Sequence, residues 1–501
     1  MTLELAVLLV ASVLLVSLGA ARIGSRLGLP VLLLFLAMGL GLGAIYPFNN
    51  ASLAHDLGFA ALVLILGEGG YTTRWREIRP ALGAAGLLAT LGVMVSIGAM
   101  AAFGHYVLGL DLATATILGA VTAPTDSAAI FAVLRKVPIP SRVRALLEAE
   151  SGLNDAPVVL LVAATTAWAL GETPEGGPAT MGLLIALELA GGALLGGAIG
   201  WLGAWMLRRI ALPDSGLYPL GALGWALFAY GAGAQLHVSG FAAVYVAGIV
   251  IGNSHLPRRN ATRSFAEGVS WLAQITLFVM LGMLATPDRL TWEVLGVGLV
   301  AGAFLTLVAR PLAVLLSLSW FRVPLPEQAL VSWAGLRGAV PIIMATVPLA
   351  SALPQGPRLF DIVFVLVVGF TLLQAPTLPM AARLLGLARP PDPAEIEVEV
   401  APLDRIQADF MQISIPEGSK LHGVELWELR LPPDTVVSLV IRAGHSFPAN
   451  SRTVLRAGDE LLVVVPARLR ELVERRFVRV GRLGRLAGPP ERPTPQRRIT
   501  S

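Results

Sequence analysis

The stretch "LLEAESGLNDAPVVLLV" (Leu146–Val162) places acidic and polar side chains directly against an apolar run. Ser151, Asn154 and Asp155 are spaced i, i+3 and i+4, and helical residues at this spacing share one face. Ionisable groups at bilayer depth are energetically costly and mark functional positions. The meaning of this face therefore depends on whether the run crosses a membrane, which the rest of the chain decides.

The composition is that of a polytopic membrane protein. Of the 501 residues, 55% are hydrophobic and 14% are charged, which is more apolar than a soluble domain requires. The chain has no cysteine, which excludes disulfides, thiolate metal sites and cysteine nucleophiles. Although the formal net charge is +4, the arginines lie between apolar runs. We therefore expect the lipid bilayer, and no nucleic acid, as a partner.

Thirteen apolar runs have roughly the length that a membrane-spanning helix needs, which is about 20 residues. They lie at 3–20, 27–46, 53–70, 80–106, 111–134, 144–170, 180–208, 215–234, 239–252, 262–286, 292–320, 326–352 and 358–386. We predict an all-α polytopic membrane protein with about 13 transmembrane helices.

Basic residues concentrate in every second connection between these runs. About 15 lysines and arginines lie in one set of connections, whereas the other set holds only Arg289 and Arg358. Connections on the cytoplasmic side collect Lys and Arg. The pattern predicts a multi-pass protein of the cell (inner) membrane, with its N-terminus outside and its C-terminal segment in the cytoplasm.

The fifth run contains the signature of a broken helix, "GAVTAPTDSAAIFAVLR" (119–135). Pro124 has no amide proton and disturbs the helix. Unwound backbone at bilayer depth is tolerated only where it is buried in protein or lines a watery cavity. Its freed carbonyls are then available to a cation, with the carbonyl and the hydroxyl of Thr125 the best placed, and Asp126 follows directly.

The twelfth run contains a second such signature, "WAGLRGAVPIIMA" (333–345), with Gly335 and Gly338 on either side of Arg337. The fifth run enters the membrane from outside and the twelfth from inside. This pattern is typical of inverted repeats in which two discontinuous helices meet near the midplane. We therefore predict that the two broken helices cross at these residues and Pro124.

The polar face of the sixth run predicts an ion-binding site. It offers a hydroxyl (Ser151), an amide carbonyl (Asn154) and a carboxylate (Asp155). These hard oxygen ligands suit an alkali cation and not zinc or copper. If the broken fifth helix lies alongside, Thr125 and Asp126 complete an oxygen cage. The alternative is that the polar side chains only hydrogen-bond between helices.

Two further charges predict a structural ion pair. Glu150 lies beside the polar face, and the eleventh run contains Arg310 within "LTLVARPLAVLL". A buried arginine without a partner is very costly, whereas a paired one is tolerated. We therefore predict that Glu150 and Arg310 pair with each other.

After Pro390 the composition becomes that of a soluble protein. The runs "FMQISI", "VVSLVI" and "ELLVVV" alternate with turn signals, which is typical of a small α+β domain. We predict a transmembrane domain at 1–388, a linker at 389–401, an α+β domain at 402–477 and a disordered basic tail at 478–501.

With these motifs in order, the chain resembles the monovalent cation–proton antiporter superfamily. The similarity is to the branch of bacterial sodium or potassium–proton antiporters and animal sodium–proton exchangers, and it covers about residues 3–388. The matching motifs are "APTDSAA" (123–129), "ESGLNDA" (150–156), "ARP" (309–311) and "GLRGAV" (335–340). Residues 402–477 resemble the TrkA-C (RCK-C) domain of potassium-uptake regulators.

The resemblance implies a secondary transporter and not an enzyme, with no catalytic residues and no cofactor. It also implies a homodimer. The residues that it implies as ligands of the transported K⁺ or Na⁺ and the proton are Asp155, Asp126, Ser151 and Thr125. Of these, Asp155 is implied as the carboxylate for which the cation and the proton compete during alternating access.

The resemblance assigns roles to four more residues. Asn154 marks the branch that is expected to be electroneutral, and Glu150 and Arg310 match the family's structural pair. Glu68, within "GEGGYTTRWREIRP" (67–80), matches an acid that lines a cytoplasmic funnel.

The transported ion and the regulation are the open points. The TrkA-C-like domain favours K⁺, with Na⁺ as the alternative, and it predicts regulation by a small cytoplasmic nucleotide effector. No G-x-G-x-x-G follows a strand, which argues against NAD as that effector. Two alternatives from other classes are a ligand-gated cation channel and an intramembrane aspartyl protease with Asp126 and Asp155 as its dyad. Neither a repeated filter motif nor G-x-G-D is present to favour them.

Overall fold

The computed structural model describes residues 2–27, 30–46, 48–126, 130, 133–134, 137, 139–172, 177–210, 212–214, 216–254, 256–388, 397–403 and 408–484. The chain separates into two compact units, Met1–Arg389 and Pro390–Ser501. Each unit is described by itself.

All regular secondary structure in the described residues of the first unit is helical. Its helices are α1 (Leu3–Leu27), α2 (Val31–Ile45), α3 (Ala51–Thr72), α4 (Trp75–Tyr106), α5 (Leu112–Thr122), α6 (Ser141–Ala169), α7 (Gly177–Arg209), α8 (Leu217–Gln235), α9 (Gly240–Gly252), α10 (Arg259–Leu284), α11 (Trp292–Phe321), α12 (Leu325–Trp333), α13 (Ala339–Ala350) and α14 (Gly356–Leu384). They follow the predicted runs in order, with α12 and α13 as two halves of the twelfth. Seven of them are long and apolar enough to cross a membrane. The predicted all-α membrane domain is confirmed.

Helix packing divides this unit into two bundles. Helices α1–α3 pack mainly with α7–α10, and we call them together the first bundle. Helices α4–α6 pack mainly with α11–α14, and we call these the second bundle. The bundles meet where α6 contacts α3, α7 and α9 and where α13 contacts α3 and α10. Both interrupted helices, and the polar face of α6, therefore belong to the second bundle.

The second unit contains an antiparallel sheet covered by a helix. Its strands are β1 (Glu397–Leu403), β2 (Ala408–Ser414), β3 (Val436–Arg442), β4 (His445–Pro448) and β5 (Glu460–Pro466), in the order β1-β2-β5-β3-β4. Helix α15 (Arg470–Leu483) buries Val473, Phe477 and Val480 in the same core as Met411 and Val463. The predicted small α+β domain is confirmed.

Two elements of this unit extend beyond the predicted boundaries. Strand β1 begins at Glu397, inside the segment predicted as a linker, because its backbone pairs along its full length with β2. Helix α15 continues to Leu483, inside the segment predicted as a disordered tail, because Val480 is still buried against the sheet. The tail beyond residue 484 lies outside the described residues.

Candidate functional site

The two unwound segments of the second bundle cross in direct contact. Helix α5 ends at Thr122, and residues 123–126 have no regular secondary structure. The other gap separates α12 from α13 at residues 334–338. The backbone amide of Asp126 donates to the carbonyl of Leu336 at 2.9 Å. The predicted juxtaposition of the two interruptions is therefore present; residues 127–129 of the first motif lie outside the described residues.

Arg337 neutralises the end of α5. Its guanidinium Nη1 donates to the backbone carbonyls of Ala123 and Pro124, each at 2.6 Å. The last carbonyls of a helix have no partner within it and carry partial negative charge. The carbonyl of Arg337 itself accepts a hydrogen bond from Thr371 Oγ1 of α14 at 2.8 Å. The side chain of Arg337 therefore fastens one unwound segment to the other.

Two glycines allow this close crossing. A β-carbon on Gly338 would overlap the carboxylate of Asp126. A β-carbon on Gly335 would lie 2.9 Å from Arg310 Nε. A side chain at either position would displace a charged group. The close packing at the crossing therefore requires both glycines of "GLRG".

The polar face of α6 lies buried beside the crossing. Ser151, Asn154 and Asp155 are 6%, 0% and 7% exposed, respectively. Asp126 is close enough to Asp155 for the two charges to repel. The structure thus brings together the two aspartates that the sequence placed in different helices.

A chain of hydrogen bonds connects this face to a buried ion pair. Asn154 Nδ2 donates to Thr125 Oγ1 at 3.1 Å, and this hydroxyl donates to Glu150 Oε1 at 3.4 Å. Arg310 donates to both oxygens of Glu150, at 2.6 and 2.8 Å. The hydroxyl of Thr125, which the sequence suggested as a cation ligand, is therefore engaged in this chain, because it bridges Asn154 and Glu150.

The ion pair is deeply buried. Arg310 and Glu150 are 4% and 2% exposed, and Arg310 follows directly after a π-helical turn, Leu305–Ala309. Such turns interrupt the regular hydrogen-bond pattern of a helix and change the direction in which the following side chains point. Arg310 Nη2 also lies 3.4 Å from the carbonyl of Val331 in α12. The predicted Glu150–Arg310 contact is present, and it ties α6, α11 and α12 together.

Two buried oxygens of the face have no hydrogen-bond partner among the described residues: Asn154 Oδ1 and Asp155 Oδ1. Buried polar atoms in proteins are nearly always paired, so each exception needs an explanation. A carboxylate oxygen beside a neutral amide oxygen can accept a proton or can coordinate a dehydrated monovalent cation. This arrangement can therefore exchange one for the other.

Glu68 is not brought to the crossing. It lies near the end of α3 and lines a small cavity between α3, α8, α9 and α10. The charged groups that act on it are Glu267 and Arg263 of α10, and neither aspartate of the crossing is among them. Its function as a funnel acid stays a prediction.

Sequence reasoning missed two residues near this face. Glu148 lies seven residues before Asp155 on α6, and helical periodicity alone could have identified it as a member of the same face. Tyr245 of α9 contacts α6 at Gly152. It lies within the apolar run "GFAAVYVAGIVIG", where nothing in the sequence indicates its neighbour.

Comparisons with known proteins agree on one family. The model of the transmembrane sodium/hydrogen exchanger family matches residues 10–384, and the TrkA-C domain model matches residues 410–478. The chain is 34% identical to the K(+)/H(+) antiporter NhaP of Alkalimonas amylolytica over 92% of this chain and 81% of the relative. It is also 34% identical to the K(+)/H(+) antiporter NhaP2 of Shewanella sp. (strain MR-4), over 90% of this chain and 79% of the relative.

A more distant relative and a solved structure complete the comparison. The Na(+)/H(+) antiporter NhaH of Halobacillus aidingensis is 28% identical over 60% of this chain and 76% of the relative. The sodium proton antiporter MjNhaP1 from Methanocaldococcus jannaschii, solved at pH 8, has a TM-score of 0.67 and 22% identity, covering 77% of this chain and 100% of the solved chain. The fold of the first unit is therefore that of a known antiporter.

Proposed function

The chain belongs to the sodium/hydrogen exchanger family and is a monovalent cation/proton antiporter, not an enzyme; on this premise we propose that Asp155 is the carboxylate for which cation and proton compete. One observation carries the proposal. Asp155 is buried beside an unwound helix with an oxygen that has no partner among the described residues.

The exchange follows from competition for the same lone pairs. A carboxylate that has lost its hydration shell needs a positive partner, and a proton and a dehydrated cation both meet this need. Because the two occupy the same oxygens, loading one displaces the other. The residue before Asp155 is the neutral Asn154, so about one positive charge moves in each direction and the cycle is electroneutral.

The other ligands come from the two unwound segments and from α6. We assign Asp126, Ser151, the Asn154 Oδ1 atom and the Thr125 carbonyl to the cation, because their elements converge on Asp155. Arg337 and the pair of Glu150 with Arg310 hold these elements in place. They bind no transported ion themselves, since their charges are already compensated.

K⁺ is the favoured cation. The relatives that match over nine-tenths of this chain are K(+)/H(+) antiporters by name, whereas the Na(+)/H(+) antiporter NhaH matches over a smaller share and at lower identity. Na⁺ exchanged by the same mechanism is the second candidate.

The orientation is N-terminus outside and C-terminal unit in the cytoplasm of an inner-membrane protein. The arginines of the predicted outer connections are both paired with acids, Arg289 with Asp361 and Arg358 with Glu293. The orientation rests on the number of basic residues, because cytoplasmic connections collect Lys and Arg whether or not they are paired: these two stand against about 15 in the other set of connections. We further propose that the TrkA-C domain regulates transport in response to a small cytoplasmic nucleotide and that the antiporter works as a homodimer.

Transport by reconstituted protein tests the function. Purified protein in liposomes with an imposed pH gradient and a pH-sensitive dye should dissipate the gradient when KCl is added, and more weakly or not at all with NaCl. Asp155→Asn and Asp155→Ala should abolish the response to both salts while eluting as folded protein. Robust exchange by Asp155→Ala vesicles would contradict the proposal. A response of the unmodified protein to NaCl alone would show that the transported cation is Na⁺ and not K⁺.

A further inference from the structure

Tyr245 is a buried polar residue that the ion-binding arrangement does not use. It belongs to α9 of the first bundle and is 7% exposed. Its hydroxyl lies against Gly152 of α6, which belongs to the second bundle. A β-carbon on Gly152 would overlap both this hydroxyl and the ring carbon that bears it. Glycine at this position therefore allows the tyrosine to approach the backbone of α6.

Gly152 lies between two acids on the same face of α6. Glu148, Gly152 and Asp155 are spaced i, i+4 and i+7, so they form one stripe along the helix. At a rise of 1.5 Å per residue, Glu148 and Asp155 are about 10 Å apart along the axis. Both carboxylates are close enough to interact electrostatically with the Tyr245 hydroxyl, which also lies beside Thr73. The hydroxyl is therefore between the two carboxylates.

The Glu148 end of the stripe is the charged end of the membrane domain. Glu148 is half-buried, and its charged neighbours are Glu77, Arg74, Arg144 and Arg263. These arginines belong to the basic connections that the charge pattern assigns to the cytoplasm. An ion that travels from this end to Asp155 along the stripe has to pass Tyr245.

We propose that Tyr245 is a gating residue whose hydroxyl, placed on Gly152, closes the passage between Glu148 and Asp155 in this conformation. The inference rests on the proposed role of Asp155 as the ion-binding carboxylate. Tyr245 acts by position and not by holding the ion.

The placement of the two partners suggests how the gate opens. Tyr245 and Gly152 belong to different bundles, so a rigid displacement of one bundle against the other separates them without a change of rotamer. Alternating access in transporters of this type is largely such a movement around a fixed site. The buried hydroxyl then loses its contact with α6, and the stripe from Glu148 to Asp155 becomes continuous.

Cysteine labelling tests the gate without requiring transport. The chain has no cysteine, so Asp155→Cys provides a single thiol at the site. A charged, membrane-impermeant methanethiosulfonate is applied to inside-out and right-side-out vesicles. In the Asp155→Cys background, Tyr245→Ala should raise the labelling rate from the Glu148 side by about tenfold or more, since removal of the ring leaves this passage open in the conformation in which the ring closes it. The rate from the opposite side should stay the same.

Two controls make each outcome decisive. Glu148→Cys should be labelled from its own side at the same rate with and without Tyr245→Ala, which reports an intact fold. Tyr230→Ala, on α8 of the same bundle, should leave Asp155→Cys labelling unchanged. An unchanged labelling rate in Tyr245→Ala would overturn the gate, and so would an equal rise from both sides or in Tyr230→Ala. Because no outcome depends on exchange activity, loss of the gate and loss of the proposed function are distinguishable.

A second experiment tests the contact itself in the transporting protein. Gly152→Ala places a methyl group where the hydroxyl lies and should lower the exchange rate by about tenfold or more. Adding Tyr245→Ala removes both the overlapping oxygen and the ring carbon that bears it, and should restore the rate to within about threefold of Tyr245→Ala alone, because residues in contact are not additive. Failure of this rescue would contradict the contact between the Tyr245 side chain and Gly152.

A matched glycine–tyrosine pair provides the control. Gly240 of α9 approaches Tyr230 through the tyrosine's carbonyl oxygen and ring carbons, and not through its hydroxyl. Tyr230→Ala should therefore fail to rescue Gly240→Ala, because the carbonyl oxygen of residue 230 remains in place. Rescue in both pairs would mean that loss of a tyrosine side chain relieves crowding in general, and the gate would be rejected.

Discussion

Glu150 and Asp155 lie on one helix, and both are buried, yet their surroundings differ. Both oxygens of Glu150 accept hydrogen bonds from Arg310, and one also accepts from Thr125. Asp155 has an oxygen without a partner among the described residues, and the charge that acts on it is that of another acid, Asp126. A fully compensated carboxylate stabilises the packing of helices. An under-compensated carboxylate at the same depth can exchange its occupant, and this difference separates structure from function within one helix.

Breaking the compensated pair should have the largest effect on stability. Arg310→Ala leaves Glu150 buried without its partner, which costs about 3–5 kcal/mol in comparable pairs. We expect a pronounced fall in the midpoint of thermal unfolding in detergent. Combining Glu150→Ala with Arg310→Ala should cost less than the two single losses summed, because the double variant leaves neither charge unpaired. Strict additivity would show that the two side chains are not coupled.

Filling the crossing should reduce exchange with less effect on stability. Gly338→Ala places a methyl group against the carboxylate of Asp126, and we expect the exchange rate to fall by about tenfold, equivalent to about 1.4 kcal/mol in the barrier. Gly98→Ala, at a position of α4 with open space around it, is the matched control. Equal exchange rates for Gly338→Ala and Gly98→Ala would show that Asp126 is not part of the transport site.

Removing the bridge between the two regions should have a smaller effect. Thr125→Val deletes the hydroxyl that connects Asn154 to Glu150 and should lower the free energy of unfolding by about 0.5–1.5 kcal/mol. Because the carbonyl of Thr125 is retained, exchange should persist at a reduced rate. Thr116→Val, whose hydroxyl donates to the carbonyl of Leu112 in its own helix, serves as the comparison. Complete loss of exchange in Thr125→Val would assign the hydroxyl to the ion.

An exposed ion pair gives the smallest expected effect. Arg358 and Glu293 pair with 46% and 71% of their side chains exposed, and such pairs contribute only about 0–1 kcal/mol. Arg358→Gln should therefore change the unfolding midpoint far less than Arg310→Ala. A comparable loss would show that burial is not what distinguishes the two arginines.

The sequence was most informative where membrane physics leaves few choices. Apolar runs and their basic connections predicted the helices, and the cost of a buried charge was enough to pair Arg310 with Glu150. The glycines around Arg337 predicted an interrupted helix because only small residues permit such a crossing. Each of these inferences rests on a physical constraint that acts within one apolar run or on one charged side chain.

Contacts between separate helices were harder to predict. The bridging position of the Thr125 hydroxyl depends on how α5 lies against α6, which no local pattern encodes. Tyr245 contacts Gly152 because the two bundles pack against each other. The apolar run around Tyr245 contains no sequence signal of this contact. Strand β1 begins within a linker-like segment because its pairing with β2 outweighs the local proline- and acid-rich composition.

Proton release on cation binding tests the exchange at Asp155 most directly. Detergent-solubilised protein in weakly buffered solution, at a pH where the site is protonated, should release about one proton for each K⁺ bound, since both occupy the same carboxylate. Asp155→Asn should release none, whereas Glu150→Gln, if folded, should still release protons. Release that persists in Asp155→Asn, or K⁺ binding to the unmodified protein without release, would contradict competition at this residue.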